Sequence, residues 1–491
     1  MAFLSRAFKS SSVKNTVWST AEATVYPLMM LAVTPFFLST LGAETYGLWM
    51  LVNTIIASVG ILNVGLGDTT IKFVSKYLAL GKHDDLKGII GATYSLYILL
   101  AIIVSGFCFF LAFAITYFQW FDIGVNQRDV VGMCVQIAGV TLGLRFIEQI
   151  FLGVFKGYER YDIASRISIS GKIGALLVSI GLVALGFDLP LILAGSCIFI
   201  FVFVLIEGFL VYRFCGFQNF VPHFQKVYIK EVFSFGVWAG GLSILGIAST
   251  QVDKFIVVAL TNMTVFAYYS IAIAIFTQIH FVFAAAGAWV FPFVNKLSFQ
   301  NKRIDEIFFR AQFILLSVGA IALTVFDFLK DFIIFHWLGE TGYANTIRFI
   351  DLVVVLNIAM IGTIMPFYFF NGSGAYKLNT LFTILTIVIR VVCMPVGYSL
   401  FSDEGLFYGL IVSVILVLSI QTPYFYKRVI NVFDQSAWIK TVAPIVIFGV
   451  ASFSESSLII LAALFSTLVL VRFIYAPRLT LADITNYKFF K

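Results

Sequence analysis

Charge is scarce in this sequence. Only 12% of its 491 residues are Asp, Glu, Lys or Arg, whereas 60% are hydrophobic, and the mean hydropathy is +1.00. Soluble proteins carry about 25% charged residues, so this composition excludes a sizeable soluble domain. Apolar segments recur from end to end, and a bilayer-spanning helix needs about 20 apolar residues. We therefore predict an all-α polytopic membrane protein.

Recognisable cofactor and catalytic motifs are also missing. The five cysteines have no paired spacing typical of zinc or of a disulfide framework, so we interpret them as small hydrophobic residues. No phosphate-cradling loop and no nucleophile–base spacing occurs. We expect no cofactor and no bound metal. An ATP-driven pump needs a soluble nucleotide domain, which the composition excludes, so any transport would be driven by a gradient or by the substrate.

Fourteen apolar segments are predicted to be transmembrane helices. They lie near 17–41, 46–66, 88–116, 131–155, 167–187, 190–212, 232–258, 265–292, 308–326, 347–370, 379–401, 405–425, 439–454 and 456–476. The first is long, contains Glu22, Pro27 and Pro35, and leads directly into the second, so we interpret it as an uncleaved helix rather than a signal peptide. An even number of spans places both termini on one side of the membrane.

The distribution of positive charge predicts which side that is. Of the 32 Lys and Arg residues, 26 fall in the two tails and the loops that share their side. Four lie on the other side and two within spans; these are Arg128, Lys254, Lys330 and Arg348, and then Arg145 and Arg390. Loops rich in Lys and Arg stay in the cytoplasm, so both termini are predicted to be cytoplasmic. The net charge of +7 is then a topology signal, and we expect no nucleic-acid partner.

Two short segments recur at nearly the same offset. LGAETYGLW (41–49) aligns with LTNMTVFAY (260–268), and FVSKYLALGKHDD (73–85) aligns with FVNKLSFQNKRID (293–305), at offsets of 219 and 220 residues. That offset equals six helices, which predicts two six-helix lobes in a parallel pseudo-repeat; transporters place the substrate path between such halves. The predicted domains are an N-terminal six-helix lobe (1–225), a C-terminal six-helix lobe (226–430), and a C-terminal two-helix pair with a cytoplasmic tail (431–491).

Charged residues inside the spans are the candidates for function, because a charge in the bilayer centre costs several kcal/mol. Arg145 and Glu148 share one face of helix 4. They either form an internal ion pair or line a central cavity. Arg390 lies near the middle of helix 11 with no acid within four residues. A carboxylate on another helix or a ligand must neutralise it, and a guanidinium suits phosphate oxygens.

Acidic residues form a second set of candidates, for ion coupling. Glu22, Glu207 and Asp253 lie within or at the edges of spans 1, 6 and 7, and Asp351 lies near the start of helix 10, one turn after Arg348. A buried carboxylate can take up and release a proton. Snorkelling or a salt bridge is the structural alternative for each acid. We retain Glu22, Glu148, Asp253 and Asp351 as coupling candidates.

The segments FFLSTLGAETYGLWMLVNT and GLGDTTIKFVSKYLALGK strongly resemble the bacterial polysaccharide flippases of the multidrug, oligosaccharidyl-lipid and polysaccharide exporter superfamily. QVDKFIVVALTNMTVFAYYSIA and VFPFVNKL look like the family's second-lobe hairpin, and the resemblance covers roughly 15–425. One departure is that Phe266 replaces the glycine found at Gly47, which concerns hairpin packing more than mechanism.

The resemblance implies a flippase of the bacterial inner membrane that moves an undecaprenyl-diphosphate-linked glycan, such as an O-antigen unit, from the cytoplasmic to the outer leaflet. It also implies alternating access through a cationic cavity, coupling to H⁺ or Na⁺, contact with membrane lipids, and polysaccharide polymerase machinery as a partner. Arg145 and Arg390 are the predicted substrate-binding residues. The alternatives are a cation-coupled multidrug exporter of the same superfamily and a membrane-embedded glycan polymerase or ligase. The short, mostly apolar outer segment 326–345 argues against an enzyme.

Overall fold

The computed structural model describes residues 11–60, 62–118, 128–215, 226–299, 304–430, 437–451 and 457–475, and these ranges contain helices and turns but no strand. Their helices are α1 (Ser11–Leu41), α2 (Ala43–Gly60), α3 (Leu62–Ala79), α4 (His83–Phe118), α5 (Arg128–Gly157), α6 (Tyr161–Ala184), α7 (Leu189–Cys215), α8 (Lys226–Leu260), α9 (Met263–Gly287), α10 (Val290–Phe299), α11 (Asp305–Gly372), α12 (Tyr376–Phe425), α13 (Ala437–Ala451) and α14 (Ser457–Tyr475). The all-α membrane class is confirmed.

Within these ranges, eight helices are long and apolar enough to cross a membrane. Two of them each join two predicted spans. Helix α11 breaks at Gly339, whose φ of 72° lies in the left-handed region that glycine reaches without a Cβ clash. Helix α12 breaks at Phe401 and Ser402. The segment 326–345, expected to be an outer loop, is helical on both sides of Gly339.

Predicted span 46–66 is wrong at its C-terminal end. The chain continues as α3 to Ala79 instead of entering a loop. Phe73, Val74 and Tyr77 are buried while Lys76 is exposed, so α3 is amphipathic. Its apolar face packs against the other helices of unit 1. The sequence-aligned segment likewise forms a separate short helix, α10, after α9.

The chain packs as two compact units. Unit 1 comprises residues 1–251 with 262–267, and unit 2 comprises 252–261 with 268–491. Helix α5 is the central element of unit 1, since 61% of its most apolar stretch is buried and it packs on α2, α3, α4, α6 and α7. In unit 2 the same role belongs to α11, which is 78% buried in its most apolar stretch and contacts α10, α12, α13 and α14.

Small residues allow α5 to approach α4 closely. A methyl group added at Gly139 or Gly143 would overlap Cys108 or Ser105 of α4. The Ser105 hydroxyl donates a hydrogen bond to the Gly139 carbonyl at 2.8 Å. Such small-residue contacts are typical of membrane helix pairs, where close backbone approach replaces the hydrophobic effect. This packing fixes the position of α5, which carries Arg145.

Glycines also allow the two halves of α12 to approach closely in unit 2. Gly405 and Gly409 lie one turn apart in GLFYG, and a side chain at either would overlap the backbone near Gly397 or Cys393. The halves therefore pack as a tight hairpin around the break at Phe401.

Candidate functional site

Six charged residues gather among four helices of unit 1. They are Glu22 on α1, Arg145, Glu148 and Lys156 on α5, Lys172 on α6, and Glu207 on α7. We call them the unit 1 cluster. The cluster contains three cations and three acids, and it is held together because α1 packs on α6 while α5 and α6 both pack on α7.

The first contact of the cluster joins Arg145 to Glu148. The Nη1 atom of Arg145 donates to Oε2 of Glu148 at 2.5 Å, with 21% of the arginine side chain and 2% of the glutamate side chain exposed. The ion pair that the sequence allowed is therefore present. Arg145 also interacts electrostatically with Tyr26 on α1 and Glu207 on α7, so its guanidinium faces more than its own helix.

The second contact ties α1 to α5 and α6. Oε2 of Glu22 lies 3.3 Å from Nζ of Lys156 and accepts a hydrogen bond from the Ser165 hydroxyl at 2.9 Å. Lys172, which is half-buried, interacts with both Glu22 and Glu148. Two of the four predicted coupling acids, Glu22 and Glu148, thus belong to one cluster with the predicted substrate-binding Arg145.

Glu207 differs from the other acids of the cluster. Its side chain is 1% exposed, and neither carboxylate oxygen has a hydrogen-bond partner in the described part of the chain. Its charged neighbours are Glu148 and Arg145. Burying a polar group without hydrogen bonds is unfavourable, so the burial of this carboxyl indicates a specific role.

Helices α5 and α7 line an apolar groove of about 560 Å³. It is lined by Tyr94 on α4, by Leu144, Ile147 and Phe151 on α5, and by Phe201, Val204, Leu205, Gly208, Phe209 and Tyr212 on α7. Arg145 and Glu148 lie between its α5 lining residues in the sequence, and Glu207 lies between Val204 and Gly208. The electrostatic interactions of Glu207 with Arg145 and Glu148 place its carboxyl near this pair.

Unit 2 brings two further predicted residues together. Tyr269 donates a hydrogen bond from its hydroxyl to Oδ2 of Asp253 at 2.8 Å, and all of this contact is buried. Arg390, which is 7% exposed, interacts electrostatically with Tyr269. Tyr269 on α9 thus interacts both with Asp253 on α8 and with Arg390 on α12.

Asp351 is bound in an ion-pair network near the break of α11. Nζ of Lys330 lies 2.6 Å from Asp351 and 2.7 Å from Asp327. Arg348, one turn before Asp351, contacts Asp403 at 3.1 Å instead. Asp351 therefore neutralises the neighbouring Lys330.

Sequence reasoning missed Lys156, Lys172 and Glu207 as members of one cluster. The two lysines were counted with the cytoplasmic loop charges, although Lys172 lies inside α6. A signal was available, because Ser165, Ser168 and Lys172 recur at helical spacing on an otherwise apolar helix and the two serines are buried. Such a polar stripe indicates a face directed towards other polar groups.

Apolar helices long enough to cross a bilayer, with ionisable residues buried among them, define a multi-pass membrane protein. Two solved structures share this fold. A lipid II flippase, MurJ, in an inward closed conformation matches with a TM-score of 0.63 and 11% identity, over 98% of this chain and 100% of that chain. An inward-facing multidrug resistance MATE family transporter of the MOP superfamily matches with a TM-score of 0.61 and 14% identity, over 85% of this chain and 99% of that chain.

The family follows from a match along the sequence. The family described as "Polysaccharide biosynthesis protein" matches residues 12–298, and the chain belongs to it. A relative from Shigella flexneri with the name "Putative O-antigen transporter" is 21% identical over 381 residues, which are 76% of this chain and 87% of the relative. The resemblance to polysaccharide flippases of this superfamily is thus confirmed, and these relatives are transporters rather than enzymes.

Proposed function

We propose that this protein moves a glycan carried on undecaprenyl diphosphate from the cytoplasmic to the outer leaflet of the bacterial inner membrane. The observation that carries the proposal is the presence of buried or half-buried cations inside apolar helices of both units, namely Arg145 and Lys172 in unit 1 and Arg390 in unit 2. A diphosphate headgroup is a fitting ligand, since guanidinium and ammonium groups bind phosphate oxygens with charge-assisted hydrogen bonds.

Each cation has a distinct proposed role. Arg145 is partly exposed and already oriented by Glu148, so it can offer its remaining donors to a phosphate. Lys172 adds a second positive charge on the neighbouring helix α6. Arg390, held beside Tyr269, engages the diphosphate or an acidic sugar at a different stage of the cycle.

The movement proposed is alternating access between an N-terminal lobe (1–225) and a C-terminal lobe (226–430), with both termini in the cytoplasm. The family's membership and the charge pattern of the loops support this topology. H⁺ or Na⁺ is the proposed driving ion, and Glu22, Glu148, Asp253 and Asp351 stay proposed coupling residues. Polysaccharide polymerase machinery is the proposed downstream partner.

Cells that lack this protein test the proposal. Deletion should reduce surface polysaccharide and raise the amount of undecaprenyl-diphosphate-linked glycan in the membrane, and the intact gene should reverse both changes. Arg145→Ala and Arg390→Ala are then compared singly at matched protein levels. Full surface polymer in both variants would remove the two arginines from the mechanism, whereas an unchanged lipid-linked pool on deletion would remove the proposed substrate.

A multidrug exporter is the second candidate, and the three acids of the unit 1 cluster favour it, because exported drugs of this class are commonly cationic. Drug susceptibility with and without the protein separates the two functions. An exporter predicts sensitisation to cationic drugs on deletion with normal surface polymer, and the flippase predicts the reverse.

A further inference from the structure

Glu207 is a deeply buried acid of unit 1. It lies in the middle of α7, at 1% exposure, and both of its oxygens lack a hydrogen-bond partner among the described residues. Gly208, the next residue, faces the Phe151 ring of α5. The carboxyl is therefore enclosed by the α5–α7 contact in largely apolar surroundings.

An ionised carboxylate is strongly disfavoured in such a place. Removing a full charge from water costs far more than removing a neutral acid, unless a cation or several hydrogen bonds compensate. Glu207 has no hydrogen-bond partner among the described residues, so only a neighbouring cation could compensate. The charge state of Glu207 therefore depends on the charges that face it.

Among the described residues, two charged groups interact with Glu207, and both belong to α5. They are Arg145 and Glu148. Arg145 is already bound to Glu148 at 2.5 Å. Lys172, on the other packed helix α6, interacts with Glu148 and Glu22 rather than with Glu207. The single positive charge of Arg145 thus faces two carboxyl groups. One proton, bound to either carboxyl, would neutralise the remaining negative charge.

A proton suits Glu207 better than a metal ion does. Hard cations take several oxygen ligands in a shell, and no polar atom of the described residues lies within hydrogen-bonding distance of the Glu207 oxygens. A proton needs only one oxygen. The bare carboxyl is therefore built for protonation.

We propose that Glu207 is a proton-binding site, occupied while Arg145 is bound to Glu148 and emptied when Arg145 turns to Glu207. On release, the O–H bond of the Glu207 carboxyl breaks, the electron pair stays on the carboxylate, and the proton passes to water. Competition between Glu148 and Glu207 for Arg145 sets the occupancy. This site deepens the proposed function by assigning a coupling residue that differs from Glu22, Glu148, Asp253 and Asp351.

Infrared difference spectroscopy on the purified full-length protein tests the site without any glycan substrate. The wild type at neutral pH should give the C=O band of a protonated carboxyl, which shifts in D₂O, and Glu207→Gln should lose that band. Glu148→Gln should lose it as well, because Arg145 is then free to neutralise Glu207. Glu44→Gln, at an exposed position on α2, is the matched control and should keep it.

Two results overturn the proposal. A band that survives in Glu207→Gln assigns the proton elsewhere, and a band unchanged in Glu148→Gln removes the competition for Arg145. Size-exclusion profiles and melting curves establish that each variant is folded. Since this spectrum is independent of transport, a failed flippase assay with the expected bands would reject only the proposed substrate, and a missing band with normal flipping would reject only the proton site.

Discussion

The two units treat their buried charges differently. In unit 1, six charged residues come together from α1, α5, α6 and α7; five lie within the helices and Lys156 lies in the last turn of α5. In unit 2, Lys330 and Arg348 lie nine residues before and after the break at Gly339, and Asp403 follows the break at Phe401. These ion pairs of unit 2 therefore lie near helix breaks, whereas Arg390 and Asp253 of the same unit are buried within helices. The comparison teaches that position on the helix separates a functional candidate from a structural ion pair better than charge alone.

The largest effect is expected from Arg145→Ala in the unit 1 cluster. The change should abolish surface polymer and also destabilise the protein by about 3 kcal/mol, as removal of one partner from a buried pair does. The measurements are surface polymer at matched protein level and the melting temperature in detergent.

A double variant separates these two consequences. Arg145→Ala with Glu148→Gln removes the uncompensated carboxylate and should restore most of the stability without restoring transport. Recovery of surface polymer in the double variant would show that Arg145 acts only as a structural partner of Glu148.

Arg390→Ala is expected to be the next most severe change. Loss of the buried guanidinium beside Tyr269 should reduce polymer at least several-fold, and Arg390→Lys should recover part of it because the positive charge remains. If folded Arg390→Lys makes no more surface polymer than Arg390→Ala, guanidinium geometry rather than charge is required.

Lys330→Ala should reverse the order of effects seen in unit 1. Asp327 is buried and would lose its cation, so a stability loss of about 3 kcal/mol is expected. Surface polymer per folded molecule should change little. A transport defect as large as that of Arg145→Ala, in protein that is equally folded, would erase the proposed difference between the units.

The smallest effect is expected at the start of α8, where Glu231 accepts from Lys76 at 2.6 Å and from the Tyr77 hydroxyl at 2.8 Å. Partial burial opposes ionisation, but the two donors outweigh it and lower the pKa of Glu231. A lowered folded-state pKa gives stability that is present above the unfolded-state value and is lost as the pH falls through the folded-state value. Because the pair is largely exposed, Glu231→Gln should cost less than about 1 kcal/mol.

Melting curves of wild type and Glu231→Gln across neutral to acidic pH measure this contribution. The two curves should converge in acid, where the wild-type carboxyl is protonated too. A gap that widens towards low pH would mean that Glu231 does not act through its charge.

Most of the helices could be predicted from the sequence, but the groups of charged residues that the helices bring together could not. Hydropathy places the breaks of α11 and α12 almost where Gly339 and Phe401 interrupt the helices, because spans must end where polar or turn residues begin. Extension of α3 to Ala79 was missed, since an amphipathic helix carries a weak hydropathy signal.

Partners distant in the sequence explain what the site prediction lacked. The Arg145–Glu148 pair follows from helical spacing on α5 alone. By contrast, the connection of Arg390 to Asp253 through Tyr269 spans three helices, and that of Glu207 to Arg145 spans two. Such contacts depend on how the helices are packed, and the position of one residue along its own helix does not reveal them.

The most direct measurement is flipping in liposomes that contain the purified protein and an undecaprenyl-diphosphate-linked glycan. A membrane-impermeant glycan-cleaving enzyme reports how much of the lipid becomes accessible. We predict rapid exposure with wild type, little with Arg145→Ala, and near wild-type rates with Arg348→Ala, the matched arginine of unit 2. Equal rates for protein-free liposomes, wild type and Arg145→Ala would contradict the account.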